Sequence, residues 1–374
     1  MSTWKITDRV IEGLSSSKLS GALPAVDGSA LTGVPGIIKS ASDPAINTNP
    51  SGGVGTLWGN TTSGELFSCT DATTDENVWT NIGAGSGDVE PWQLGGTISG
   101  YTTCGEASAW HNEIDKFSFA SNSNATDVGN TTFATSYTAG SSSTTHGYAS
   151  GSQNPITNII QKFSFTVDGN STDIADLTNA IDGGSGTSSR THGYCAGGRP
   201  VTSVINKFPF ATDTNATNIG NLTVSRQRAS GQSSANHGYA CGGHASPYYD
   251  TIDKFTFASD NDATDHGDLT STRATTGGQS SLTHGYVSGG NPTVNIIEKF
   301  TFASNSNATD VGDLTVSRYA TAPQSSTTQG FNSGGGGTGG RVNVIDKFNF
   351  SVDGNATDHG DLTVPRIAGS GQQV

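Results

Sequence analysis

Basic residues are scarce in this sequence: 18 Lys and Arg stand against 32 Asp and Glu, a net charge of −14 over 374 residues. Nucleic-acid binding draws its affinity from clustered cations on phosphates, so that class of partner is excluded. The same deficit predicts a soluble surface that repels anionic polymers and membranes. Long apolar runs are missing as well, with no signal peptide and no stretch of the ~20 residues that a membrane-spanning helix needs. The expectation is a mature chain that begins near Met1 and inserts into no membrane. Only four cysteines occur, Cys69, Cys104, Cys195 and Cys241, in neither metal-ligand nor CxxC spacing. Cys195 and Cys241 fall one place apart in an internal repeat whose other copies mostly hold Ala, Ser or Val, so buried free thiols are expected. Catalytic signatures are absent too: no Gly-x-Ser-x-Gly elbow, phosphate loop or His-Glu-x-x-His is present, and no cofactor is expected.

What the chain does have is repetition. Ile252-Asp253-Lys254-Phe255-Thr256-Phe257 has five further copies, beginning at Ile114, Ile160, Ile205, Ile297 and Ile345. Counted at the first Phe (117, 163, 208, 255, 300, 348), the steps are 46, 45, 47, 45 and 48 residues. A second marker, usually His-Gly-Tyr, keeps the same beat at Gly100, Gly147, Gly193, Gly238, Gly285 and Gly330. Two markers in step mean a repeat architecture. Each unit holds four strand-length pieces: a small polar run, the His-Gly-Tyr strand, the Lys-Phe strand and an Ala-Thr-Asp strand. Glycine turns join them, the size and strand count of a propeller blade. The Phe pair alternates with Lys254 and Thr256, so both rings face one way and are predicted to fill the space between neighbouring units. Each such ring, once buried, contributes about 2 kcal/mol.

The fold class expected is all-β: a six-bladed propeller over residues 91–374, with four-stranded blades and an N-terminal β-rich attachment region. The first unit lacks an opening strand, whereas Ile367-Ala-Gly-Ser-Gly-Gln-Gln373 matches an opening strand with no unit after it. The C-terminus is therefore expected to close the first blade and cover its open edge.

Residues 1–90 lack the repeat. Trp4 to Ile11 reads as either a short strand or a helix. Leu19-Ser-Gly-Ala-Leu23-Pro and Leu31-Thr-Gly-Val34-Pro are thin apolar units that either pack in a shared core between chains or form a flexible linker. Runs at 55–58, 64–69 and 77–82 predict a small three-stranded unit within 55–90, ending in a Gly-rich hinge at 83–87, with 1–54 extended. Trp58 and Trp79 need more cover than three strands supply, which points to a neighbouring chain. Leu19, Leu23, Leu31, Val34, Trp58 and Trp79 are thus the candidate assembly residues.

Two resemblances are carried by these residues. Leu19-Ser-Gly-Ala-Leu-Pro-Ala-Val-Asp-Gly-Ser-Ala-Leu31 and Gly55-Thr-Leu-Trp-Gly-Asn-Thr-Thr-Ser-Gly-Glu-Leu66 resemble N-terminal segments of bacteriophage tail fibres and virion appendages of the marine, cyanophage type. That resemblance implies a virion structural protein, assembled in the host bacterial cytoplasm, attached to other virion proteins through residues 1–90 and trimeric. From residue 92 on, Arg226, Arg273, Arg318 and Arg366, the Gly-Gly pairs and the strand order resemble kelch repeats. They depart from kelch where that family keeps a Trp, here His266, Val311 or His359, so the repeat is kelch-like.

Repeated polar residues invite functional readings that position weakens. His146, His192, His237 and His284 occupy one repeat position, and equivalent residues on adjacent blades do not converge as a metal site demands, so structural hydrogen bonding is expected. Asp168-Gly-Asn-Ser-Thr-Asp173 and Asp353-Gly-Asn-Ala-Thr-Asp358 resemble calcium loops but read better as hairpin turns. The repeated lysines (Lys116, Lys162, Lys207, Lys254, Lys299, Lys347) are expected to pair with Asp127, Asp173, Asn218, Asp265, Asp310 and Asp358, at about 0–1 kcal/mol each.

Variation is concentrated in the loop before the Lys-Phe strand, which differs in every unit and emerges on one face of a propeller. Binding residues concentrate in such loops, although drift in an unselected loop produces the same pattern. Tyr248, Tyr249, His244, Arg199 and Arg341 are the candidate receptor-binding residues, suited to a host-surface glycan or protein. The expected function is a non-enzymatic virion appendage that displays the propeller outward for host recognition. The alternatives are a capsid decoration protein, or a glycan-processing enzyme, which needs an asymmetric pair of carboxylates about 5–9.5 Å apart.

Overall fold

The computed structural model describes residues 36–82 and 94–374. The chain divides into two compact units between Pro91 and Trp92. All regular structure among the described residues is β, and almost every paired strand belongs to a four-stranded sheet. The candidate assembly residues Leu19, Leu23, Leu31 and Val34, the Trp4 to Ile11 run and the 83–87 hinge lie outside the described residues.

The smaller unit has four strands rather than three. Ile38–Ser40 pairs in parallel with Leu57–Asn60, ahead of an antiparallel meander through Leu66–Asp71 and Val78–Asn81. A domain boundary at residue 54 would cut this sheet. The extra strand was not readable because Ile37-Ile38-Lys39 is too short to show alternation. The sheet also covers one of its two tryptophans. Trp79 is fully buried with Phe67 and Cys69, its ring edge-on to Trp58 at 5.9 Å, and the Trp58 indole N–H donates to the Ser42 carbonyl at 2.9 Å. Trp79 therefore offers no surface to a neighbouring chain, and among the described residues half-buried Trp58 remains as an assembly candidate.

The larger unit holds six four-stranded antiparallel sheets, one per repeat, each a simple meander. Sheet 2 comprises Ala139–Ser142, His146–Gln153, Ile156–Ser164 and Thr172–Asp176; sheets 3 to 6 repeat that order, their first strands being Ser185–Ser188, Ser230–Ser233, Gly277–Ser280 and Ala322–Ser325. Sheet 1 takes its first strand from the other end of the chain: Ser370–Gln373 pairs antiparallel with Ser99–Glu106, and Trp110–Ser118 and Thr126–Thr135 follow. The expected closure by the C-terminus is thus present, with Ser370 opposite Thr103 and Gln373 opposite Gly100.

The two markers that define the repeat face one another. Gly238 lies opposite Phe255 in the second and third strands of sheet 4, and a Cβ on Gly238 would sit 2.3 Å from the Phe ring. Glycine is required there because the ring lies flat over the backbone. That ring and Phe257 then pack on Tyr194 of the preceding sheet, Phe257 stacked at 4.8 Å. The same aromatic triad joins each sheet to the next, including Phe117 and Phe119 with Phe331 between sheets 1 and 6.

The first strands touch one another in cyclic order, sheet 1 to 2 and on through 6 back to 1. They approach so closely that a Cβ on Gly231 would lie 2.0 Å from the Gly186 carbonyl oxygen. Just ahead of them, Tyr137, Gly183, Arg228, Thr275, Ala320 and Ala368 all adopt positive φ between 53° and 63°. Each of these amides donates to the carbonyl of its counterpart in the preceding sheet, from Tyr137 onto Ala368 round to Ala368 onto Ala320, at 2.6–2.9 Å. This is a closed ring of six backbone hydrogen bonds. The left-handed conformation is costly for residues other than glycine, by about 1–3 kcal/mol each, and persists here because the ring satisfies each amide.

Candidate functional site

Loops between second and third strands gather at one end of this ring of sheets. In sheets 3 to 6 each forms a bridge with the segment that leads into a first strand: Arg199 with Asp182, His244 with Gln227, Asn291 with Ala274 and Gly336 with Tyr319. Glu106 and Ile367 make the corresponding bridge at sheet 1. The backbone is therefore fixed by pairing, while side chains vary from loop to loop.

The structure holds the five candidate receptor residues at this end but does not leave them free. The His244 and Tyr248 rings are 4.7 Å apart, and the Tyr248 hydroxyl accepts a hydrogen bond from the Asn291 amide of the next loop at 3.0 Å. Tyr249 is half-buried beside them and fixes the loop through its backbone, its N–H on Gly243 and its carbonyl accepting from Arg273. Arg199 is ion-paired to Asp182 at 2.6 Å and Arg341 to Glu106 at 2.6 Å. Both guanidinium groups offered to a ligand's hydroxyl or carboxylate thus already hold a carboxylate of this chain. Burial pushes the Asp182 carboxyl up, with Arg199 opposing it.

Sequence reading missed the cationic side chain that lines the cavity beside the first strands. Arg228 belongs to the closed backbone ring; its side chain crosses Gly183 and its guanidinium lies 4.2 Å from the centre of the Tyr137 ring. The other ring members, Thr275, Ala320 and Ala368, are small. The ring opens into a cavity of about 110 Å³, lined by Tyr137 and Arg228 at one end and by the first strands beneath. The signal that could have found it is variation at one aligned position, two residues after Arg226, where the six copies read Tyr, Gly, Arg, Thr, Ala and Ala.

The remaining repeated polar residues are structural in placement. His146, His192 and His284 each place Nδ1 2.8–2.9 Å from the hydroxyl of the preceding threonine. Burial lowers the pKa of all three, and a nearby lysine lowers it further. Among the described residues no three His, Cys, Asp or Glu side chains are grouped to hold a metal ion. The four cysteines are buried and free.

The expected lysine pairing is wrong in register. Lys116 reaches Asp168 at 3.0 Å, and Lys162, Lys207 and Lys299 reach Asp213, Asp260 and Asp353 at 2.5–2.6 Å; Lys254 and Lys347 bond Asn305 and Asn122. Every partner is a turn residue in the next sheet. Asp127, Asn218, Asp265, Asp310 and Asp358 instead accept from the glycine amide two residues on, as short polar side chains do in turns.

The buried acids are committed to the joints between sheets. Asp115, Gln161, Asn206, Asp253, Glu298 and Asp346 occupy one repeat position and accept bonds from the backbone and hydroxyl of a threonine in the preceding sheet. The four carboxylates among them each also meet a buried arginine: Arg366, Arg226, Arg273 and Arg318. Compared with known proteins, the chain matches no family model, and no curated protein resembles it significantly.

Proposed function

We propose that residues 94–374 form a six-bladed, kelch-like β-propeller and serve as the recognition module of a bacteriophage virion appendage. The cyclic contacts of the first strands and the closed backbone ring support the propeller reading. One observation carries the recognition reading: the loops bridged at one end share a backbone path but not side chains, while strand residues repeat. A scaffold of that kind separates stability from specificity. The carboxylates that recur in the strands are used up by arginine and threonine partners, which favours binding over hydrolysis.

The virion part of the reading rests on the sequence style of residues 19–31 and 55–66, with residues 1–90 as the attachment and trimerising region. Gold-labelled antibody against residues 94–374, applied to purified particles, tests it. Labelling of tail fibres supports the appendage. Labelling spread over the capsid means a decoration protein, and unlabelled particles remove the virion reading. Reducing sugar released from host polysaccharide by the purified chain would replace recognition with catalysis.

A further inference from the structure

We propose that the mouth of the central cavity binds a small hydroxy-carboxylate of uronic-acid size, with the carboxylate on Arg228. The inference is independent of whether the chain belongs to a virion. Three arginines lie in this region, and two are neutralised, Arg199 by Asp182 and Arg341 by Glu106. Arg228 makes no ion pair or side-chain hydrogen bond among the described residues, and its Nε is buried without a partner. Asp182 also feels the Arg228 charge through space, but it is already held by Arg199, so three arginines here share two carboxylates. A half-buried guanidinium with no acceptor is matched by a carboxylate, which takes two parallel N–H bonds from it.

Cavity and ring supply the rest of the fit. Tyr137 holds the guanidinium by its face, and Gly183 lets the arginine stem pass, since a Cβ there would lie 3.0 Å from Arg228 Cγ. Across the mouth, Thr275, Ala320 and Ala368 leave room. The half-buried Thr275 hydroxyl on the lining can accept a hydrogen bond from a hydroxyl of such a ligand.

Titration of the full-length protein with glucuronate, followed calorimetrically, tests the proposal. Saturable binding of one molecule per chain is expected, at least tenfold tighter than glucose. Arg228→Gln and Gly183→Ala should each weaken it at least tenfold, with near-native circular dichroism; the second variant tests the site without removing the charge. No binding at millimolar glucuronate, equal affinity for glucose, or full affinity in a folded Arg228→Gln variant would overturn the assignment.

Discussion

The guanidinium of Arg226 lies 3.2 Å from the Asp253 carboxylate, and neither side chain is exposed to water. At two of the six joints the pair is absent on both sides: Asn206 replaces the acid where Ile181 replaces the arginine, and Gln161 stands with Thr135. A buried charge without its partner is strongly destabilising, so acid and base must be gained or lost together.

A double-mutant cycle on this joint follows. Arg226→Ile leaves Asp253 buried and uncompensated and should cost about 3–5 kcal/mol. Arg226→Ile with Asp253→Asn recreates the residues of the sheet 2–sheet 3 joint and should recover much of that loss. Chemical denaturation measures both; a double variant as unstable as the sum of its singles would contradict the coupling.

Stability should also fall with acid, through the buried imidazoles. His266 and His359 donate Nε2–H to the carbonyls of Thr301 and Ser118, leaving Nδ1 buried without a partner. Burial lowers the pKa of both below the ordinary 6.5. Below pH 6.5 the unfolded chain therefore binds more protons than the folded one. The stability these groups contribute is complete above pH 6.5 and is lost as pH falls towards their folded values. His266→Val with His359→Val, using the residue that Val311 supplies at that position, should flatten the melting-temperature profile between pH 6.5 and 5.

How much of this was legible depends on whether partners repeat. The Phe and Gly markers could be read because one causes the other: the Phe255 ring forbids a Cβ at Gly238. Closure by the C-terminus was legible for the same reason, as a strand pattern left over at one end and missing at the other. The partner of Lys116 was not, because Asp127 and Asp168 are both acidic turn residues and spacing does not say which sheet the lysine leans towards. Arg228 stayed hidden because its importance comes from breaking the repeat, and a reading built on the repeat discards exceptions.

Deleting residues 370–374 tests closure. Sheet 1 would lose its first strand and the Gln372 amide that donates to Tyr148 O at 3.1 Å. The exposed edge of Ser99–Glu106 would also be open to pairing with other chains. A sharp fall in melting temperature with aggregation is expected; an unchanged melt would contradict a ring closed by its C-terminus.

Host adsorption tests recognition through the loop end most directly. Particles carrying Tyr248→Ala with Tyr249→Ala lose the tilted His244 ring contact and the Asn291 bond, both outside the aromatic triads between sheets. The account predicts at least a tenfold loss of adsorption with a nearly unchanged thermal melt of the purified protein. Undiminished adsorption by particles shown to contain the altered chain would contradict it.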